Sequence, residues 1–86
     1  MALYYFDVHD SDLSVHDHEG TECRDRAAVS TEALRALCEI AADHPERYIG
    51  GKLRTTVRDG NDRTVLTASI NLTAAWQVEG KSSEAA

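Results

Sequence analysis

One stretch of the chain repeats its apolar residues every 3.6 positions, and the stretches on either side repeat them every second position. That pattern sets the order of elements: strands, a single amphipathic helix, then strands again. From about Arg26, the residues Val29, Ala33, Leu37 and Ile40, with Leu34, Ala36 and Ala41 at the margins, fall within about half of the helical circumference. Glu32, Arg35, Glu39 and Asp43 take the other half. Asp25 is placed to cap the first turn, with Ser30 as a rival start one turn later. Pro45 stops the helix, because the residue before a proline is pushed out of the α region. A loop over residues 46–51 follows, with Gly50-Gly51 as its corner.

Ahead of the helix, Tyr4, Phe6 and Val8 alternate with Leu3, Tyr5, Asp7 and His9, which predicts a strand rich in aromatic and β-branched residues. Asp10-Ser11-Asp12 is turn chemistry, and a second strand sets Leu13 and Val15 against Ser14, His16 and His18 before Glu19-Gly20 ends it. Behind the helix, Leu53, Thr55 and Val57 alternate with Arg54, Thr56 and Arg58. The turn Asp59-Gly60-Asn61-Asp62 leads into a last strand with Leu66, Ala68, Ile70 and Leu72 on one face. Ala74, Trp76 and Val78 either extend that face or follow a strand that ends near Thr73. Tyr4, Phe6 and Trp76 are expected as packing anchors, and Cys38 as a small buried hydrophobe. The expected fold is α+β, β-β-α-β-β, an antiparallel four-stranded sheet with one helix packed on one face. Residues 1–79 form the single domain and residues 80–86 a disordered tail.

The chain carries a net charge of −6, and the first 25 residues hold all of that excess. No basic stripe is present to neutralise phosphates, so nucleic acid is not an expected partner. No apolar run approaches a membrane span, and the amino terminus lacks the basic and small-residue pattern of a secretory signal. Cys23 and Cys38 have neither C-x-x-C nor zinc-site spacing, and are expected as reduced thiols of a cytoplasmic protein. No nucleophile, phosphate-loop or dinucleotide motif is visible, so no catalytic residue and no cofactor are assigned. Asp10-x-Asp12-x-Ser14 opens like a calcium loop but has Val15 where glycine must turn the chain. His9, His16 and His18, set among Asp7, Asp10, Asp12 and Asp17, are a competent ligand set for a divalent metal, or else a solvated edge.

Tyr4-Tyr5-Phe6-Asp7-Val8, then Asp17-x-x-Gly20-x-Glu22, then an alanine-rich helix with Glu32-Ala33-Leu34, form a recurring arrangement. It resembles a family of short bacterial proteins of unknown function, frequent in alphaproteobacterial genomes, over roughly residues 3–73. In that family an acidic hairpin precedes the helix, and a carboxy-terminal hairpin carries an Asp-x-x-Gly-like turn. Asp59-Gly60-Asn61-Asp62 is that turn in altered form. This chain departs from the pattern at Ser11, where glycine is common, and at Cys23-Arg24. The resemblance implies the fold and no activity. A fainter one is to the antitoxin half of bacterial HicA–HicB pairs, which would make this an acidic module neutralising a basic partner. Their carboxy-terminal DNA-binding segment is missing here.

The expected function is therefore that of a small non-catalytic module acting through protein contact, as a homodimer or with an unknown protein partner. One helix covers only one face of four strands, which leaves Tyr5, His9, His16, Arg54 and Arg58 on the other as the expected contact residues. Replacing Tyr5 and Arg58 is expected to abolish contact while leaving unfolding nearly unchanged.

Overall fold

The computed structural model describes residues 1–78, so the tail expected over residues 80–86 lies outside the described residues. The fold is α+β: an antiparallel sheet with one main helix across a single face. Its elements are β1 (Ala2–His9), β2 (Ser14–Val15), β3 (Thr21–Cys23), α1 (Arg26–Asp43), α2 (Pro45–Tyr48), β4 (Lys52–Arg58) and β5 (Thr64–Asn71). Five strands replace the expected four, because the second strand breaks into two pieces. Both pieces pair with the same edge of β1, Val8 with Val15 and Tyr4 with Thr21. Between those pairs, residues 16–20 oppose only residues 5–7, so the ladder bulges and strand pairing stops. β4 joins the other edge of β1, and β5 closes the order β2-β1-β4-β5.

The helix begins where Asp25, in extended conformation, accepts from the Ala28 N–H at 2.8 Å; Ser30 lies inside the first turns. It buries Val29, Ala33, Leu37 and Ala41, a stripe at every fourth residue. Two of the four are alanines, which lets the helix axis sit close to the sheet. Leu34 is left outside, and so is Cys38; the buried thiol is Cys23 instead. Cys38 leaves the core because it follows Leu37 by one residue, about 100° around the helix from the stripe. Burial, with Glu32 and Asp25 nearby, pushes the Cys23 thiol up.

Pro45 does end α1, but the expected loop after it opens with a helical turn. The proline ring supplies the first position of α2, where its missing N–H costs nothing. This turn delivers Tyr48 to the core beside Leu37, Ala41 and Leu53. A second cluster gathers Cys23, Val29, Ala33 and Val57 under Tyr4 and Phe6. Thr55, fully buried among apolar neighbours, donates its hydroxyl to the Asp7 carbonyl at 2.7 Å and so loses no hydrogen bond.

Gly20 holds the bulge. Its φ is +77°, and a Cβ there would stand 3.0 Å from Leu3 Cγ and 3.1 Å from the Tyr4 carbonyl oxygen. Gly20→Ala is therefore expected to cost more than about 1 kcal/mol, through left-handed strain and backbone crowding together. Urea unfolding should show a lower midpoint at an unchanged slope.

Candidate functional site

The face of the sheet away from α1 collects the polar side chains. Tyr5 stands opposite Arg58, and His9 opposite Arg54, so these four share that face. His16 reaches the same side, its Nδ1 3.4 Å from Asp7 Oδ1. The structure thus brings all five expected contact residues together. It leaves them unequally free.

Arg58 belongs to the fold. Its Nε donates to Asp7 Oδ2 at 2.8 Å, one Nη to Asp7 Oδ1 at 3.0 Å and to the Asp17 carbonyl at 2.9 Å, and the other Nη to Asp62 at 2.9 Å. The guanidinium also lies 5.1 Å from the centre of the Tyr5 ring. Only 15% of the Arg58 side chain and 10% of Asp7 meet solvent. Asp7 in turn accepts the Asp17 N–H at 2.9 Å, and Asp17 accepts the N–H groups of Phe6, Glu19 and Gly20. The carboxylate of Asp17 thereby satisfies the β1 backbone where strand pairing stops. Residues 16–18 roof this end of the outer face, which corrects the expectation that the whole face is uncovered. A change at Arg58 or Tyr5 disturbs folding as well as any contact.

The histidines are divided. His16 and His18 meet edge to face with ring centres 4.7 Å apart, whereas His9 Nδ1 lies 2.9 Å from Ser14 Oγ. Among the described residues, no group of three or more His, Cys, Asp or Glu side chains is arranged to hold a metal ion. Nor is any described helix long and apolar enough to cross a membrane. At the other end of the outer face, His9, Lys52, Arg54, Ser69 and Asn71 line a polar depression of about 570 Å³.

Asp10 and Tyr48 were not legible as partners. The Asp10 carboxylate accepts from the Asp12 and Leu13 N–H groups, from Arg47 at 3.2 Å and from the Tyr48 hydroxyl at 3.4 Å. Those backbone donors, then Arg47 and Tyr48, outweigh partial burial and hold its carboxyl below the usual range.

The two edges of the sheet differ in kind. On the β1 side, β2 and β3 are two and three residues long and separated by the Asp17 loop. On the other side β5 runs for eight residues, Thr-Val-Leu-Thr-Ala-Ser-Ile-Asn, with no charge, proline or glycine. Among the described residues nothing pairs with its outer edge. The direction of its amides follows from β1. The Phe6 N–H turns to Asp17 and away from β4, so the facing Val57 must bond towards β5 and its partner Leu66 back towards β4. By alternation, Thr67, Ser69 and Asn71 direct their N–H and C=O groups outward. Past β5 the chain carries on to Trp76, which was expected as a packing anchor and is 96% exposed; no described element lies against it.

The Asp7–Arg58 pair sets the acid response of the fold. Hydrogen bonding to Arg58 outweighs burial and holds the Asp7 carboxyl at about 2, against an ordinary 3.8. A carboxylate with a depressed folded value stabilises above its unfolded value, and that stabilisation is lost as pH falls through the folded one. Stability should therefore fall between about pH 4 and pH 2, by about 1–2 kcal/mol from Asp7 once screening at the rim is allowed for. Asp7→Asn should lose about 3 kcal/mol at neutral pH, because it strands a nearly buried guanidinium, and its acid-side slope should be flatter. Chemical unfolding at stepped pH measures both.

No curated protein and no solved structure matches this chain. A family model described as "Domain of unknown function (DUF6894)" matches residues 3–71, from within β1 to the last residue of β5. The match takes in the sheet, the helix and the Asp7–Arg58 knot alike, and the chain belongs to that family.

Proposed function

We propose that this chain is a non-catalytic protein-contact module that associates with a second copy of itself along the outer edge of β5. The observation that carries the reading is that edge. An exposed strand presents a row of unpaired amides and carbonyls, and proteins ordinarily blunt such a row with short strands, charge, proline or a bulge. The β1 side of this sheet is blunted by brevity and by a bulge. From Leu66 to Asn71 β5 has none of these guards, its one register irregularity lying at Val65 near its start, and its three outward backbone positions are carried by Thr67, Ser69 and Asn71. The −6 excess of each copy sits in its first 25 residues, and the uncharged β5 edge, on the other side of the sheet from β2 and β3, is where two copies can approach.

The outer sheet face flanks this edge. Its free end, with His9 and Arg54, borders Ser69 and Asn71 and supplies the rim of such a contact. Tyr5 and Arg58 contribute by fixing the other end of that face through Asp7 and Asp17.

Ser69→Pro removes an outward amide without touching the bonds to β4, whereas Ala68→Pro removes an inward one. Light scattering over a concentration series should give a mass rising from the 9.4 kDa monomer towards its double. Ser69→Pro, or Ser69→Lys as a charge guard, should hold the mass at the monomer value with thermal unfolding shifted little. Ala68→Pro should lower stability itself. A wild-type chain that stays monomeric throughout the series rejects the reading.

A further inference from the structure

Residues 64–78 are fifteen in a row without a charge, proline or glycine, and β5 accounts for only the first eight. The remainder follows Leu72, which is held back against the domain by accepting the Gly50 N–H at 2.9 Å. Beyond it Trp76 and Val78 are 96% and 66% exposed. An indole left in water forgoes the burial of roughly 150–250 Å² that such a ring normally contributes. At the opposite end of β5, a groove of about 380 Å³ opens on the helix side of the sheet. Val29, Leu66 and Tyr4 form its apolar walls, and Arg26, Ala27 and Ser30 of the first helical turns form its rim.

Trp76 cannot reach that groove in its own chain. Four residues past Leu72 span roughly 13 Å, while Leu66 lies six residues, or roughly 20 Å, back along the strand from Leu72. A second copy running antiparallel has no such difficulty. Symmetric pairing of the whole uncharged run places its centre, Asn71, on the two-fold axis. Asn71 has its backbone groups directed outward, as that register requires. Ser69 then faces Thr73, Thr67 faces Ala75, and Leu66 faces the second copy's Trp76. From Leu66 onward the even-numbered residues of β5 point to the helix side, so this indole arrives beside Leu66 at the mouth of the groove.

We infer that residues 72–78 of each copy extend the sheet along the partner copy's β5 and seat Trp76 in the groove beside the first turns of its α1. The indole lies on Val29 and Leu66, with the Arg26 guanidinium placed to cover its face and Ser30 to accept its N–H. The contact is isologous, each copy giving one tail and one groove. It rests on the β5-edge reading and adds the partner's segment to it. These residues lie past the family-matched stretch of 3–71.

Trp76 is the sole tryptophan, so its emission reports on its own site. The full chain is followed over a concentration series by fluorescence, iodide quenching and sedimentation together. Emission should move to shorter wavelength and quenching should weaken in step with dimer formation, and Ser69→Pro should remove both changes. Trp76→Ala, harmless to a fold that does not touch it, should weaken the dimer at least tenfold, on the order of a hot-spot truncation. Ala27→Glu, on the exposed rim, should keep the fold and return the emission to longer wavelength. A dimer whose tryptophan stays open to iodide overturns the tail inference while the β5 edge stands. Short-wavelength emission at monomer mass places the indole within its own chain and also overturns it. Absence of any dimer removes the edge reading beneath.

Discussion

A carboxylate and a guanidinium on the outer face of a thin sheet decide what the rest of this molecule looks like. Asp7 lies on the strand face that should be wet, yet it is nearly buried, because Arg58 grips it with two nitrogens and the 16–18 segment lies over both. Such a pair gains little net stability over an apolar substitute, since desolvation offsets most of the attraction. Its consequence is geometric. By fixing the Asp17 backbone at both N–H and C=O, it makes the second strand leave β1 for five residues and return as β3. The Asp17 side chain then supplies the acceptor that Phe6 would have found in a neighbouring strand.

From this follows the inequality of the two edges. The interrupted side has two short pieces and a carboxylate in the gap, and offers no continuous row of amides to another chain. Everything that could template a further strand is concentrated at β5. The acidic excess of the first 25 residues also looks different in this light. Asp7, Asp10, Asp17 and Asp25 are acceptors for backbone amides or for arginine inside the domain, which leaves Asp12, Glu19 and Glu22 as the free acids of that stretch. Part of the charge read as a surface for a basic partner is thus tied into the domain's own hydrogen bonds.

Local chemistry was legible in the sequence, and long-range pairing was not. The Asp25 cap, the Pro45 stop, the inward faces of β4 and β5 and the helix stripe all depend on neighbours within a few residues. β3 was hidden because Thr21-Glu22-Cys23 has no alternation of its own; it is a strand only because Asp17 steers it back to β1. Tyr48 was hidden because a four-residue helix after a proline has too few positions to show a period. The role of Arg58 was hidden because its partners lie 41 and 51 residues away, and alternation placed it on the solvent face, where it does project. Trp76 was misplaced for the converse reason. A large aromatic in phase with Leu66, Ala68 and Ile70 reads as core, but β5 ends at Asn71 and no strand carries Trp76 onto the helix side.

In the pairing proposed above, that exposed tail ties stability to assembly. A chain of this size buries only about 60% of the surface its unfolded form exposes, and here one helix must serve five strands. Two of its four core-facing positions are alanine, so α1 sits close to the sheet and spans it incompletely, and the uncovered corner between its first turns and Leu66 is the groove. The domain therefore has a gap in its apolar layer and, at the far end of the same strand, an aromatic side chain with nowhere to go. Within one molecule the two are separated by the length of β5. An antiparallel two-fold operation is what superposes opposite ends of a strand, so the defect and the surplus of a single chain are complementary only in a pair. In such a pair, binding free energy adds to folding free energy by mass action, and a small incomplete core is supplemented by residues from its neighbour.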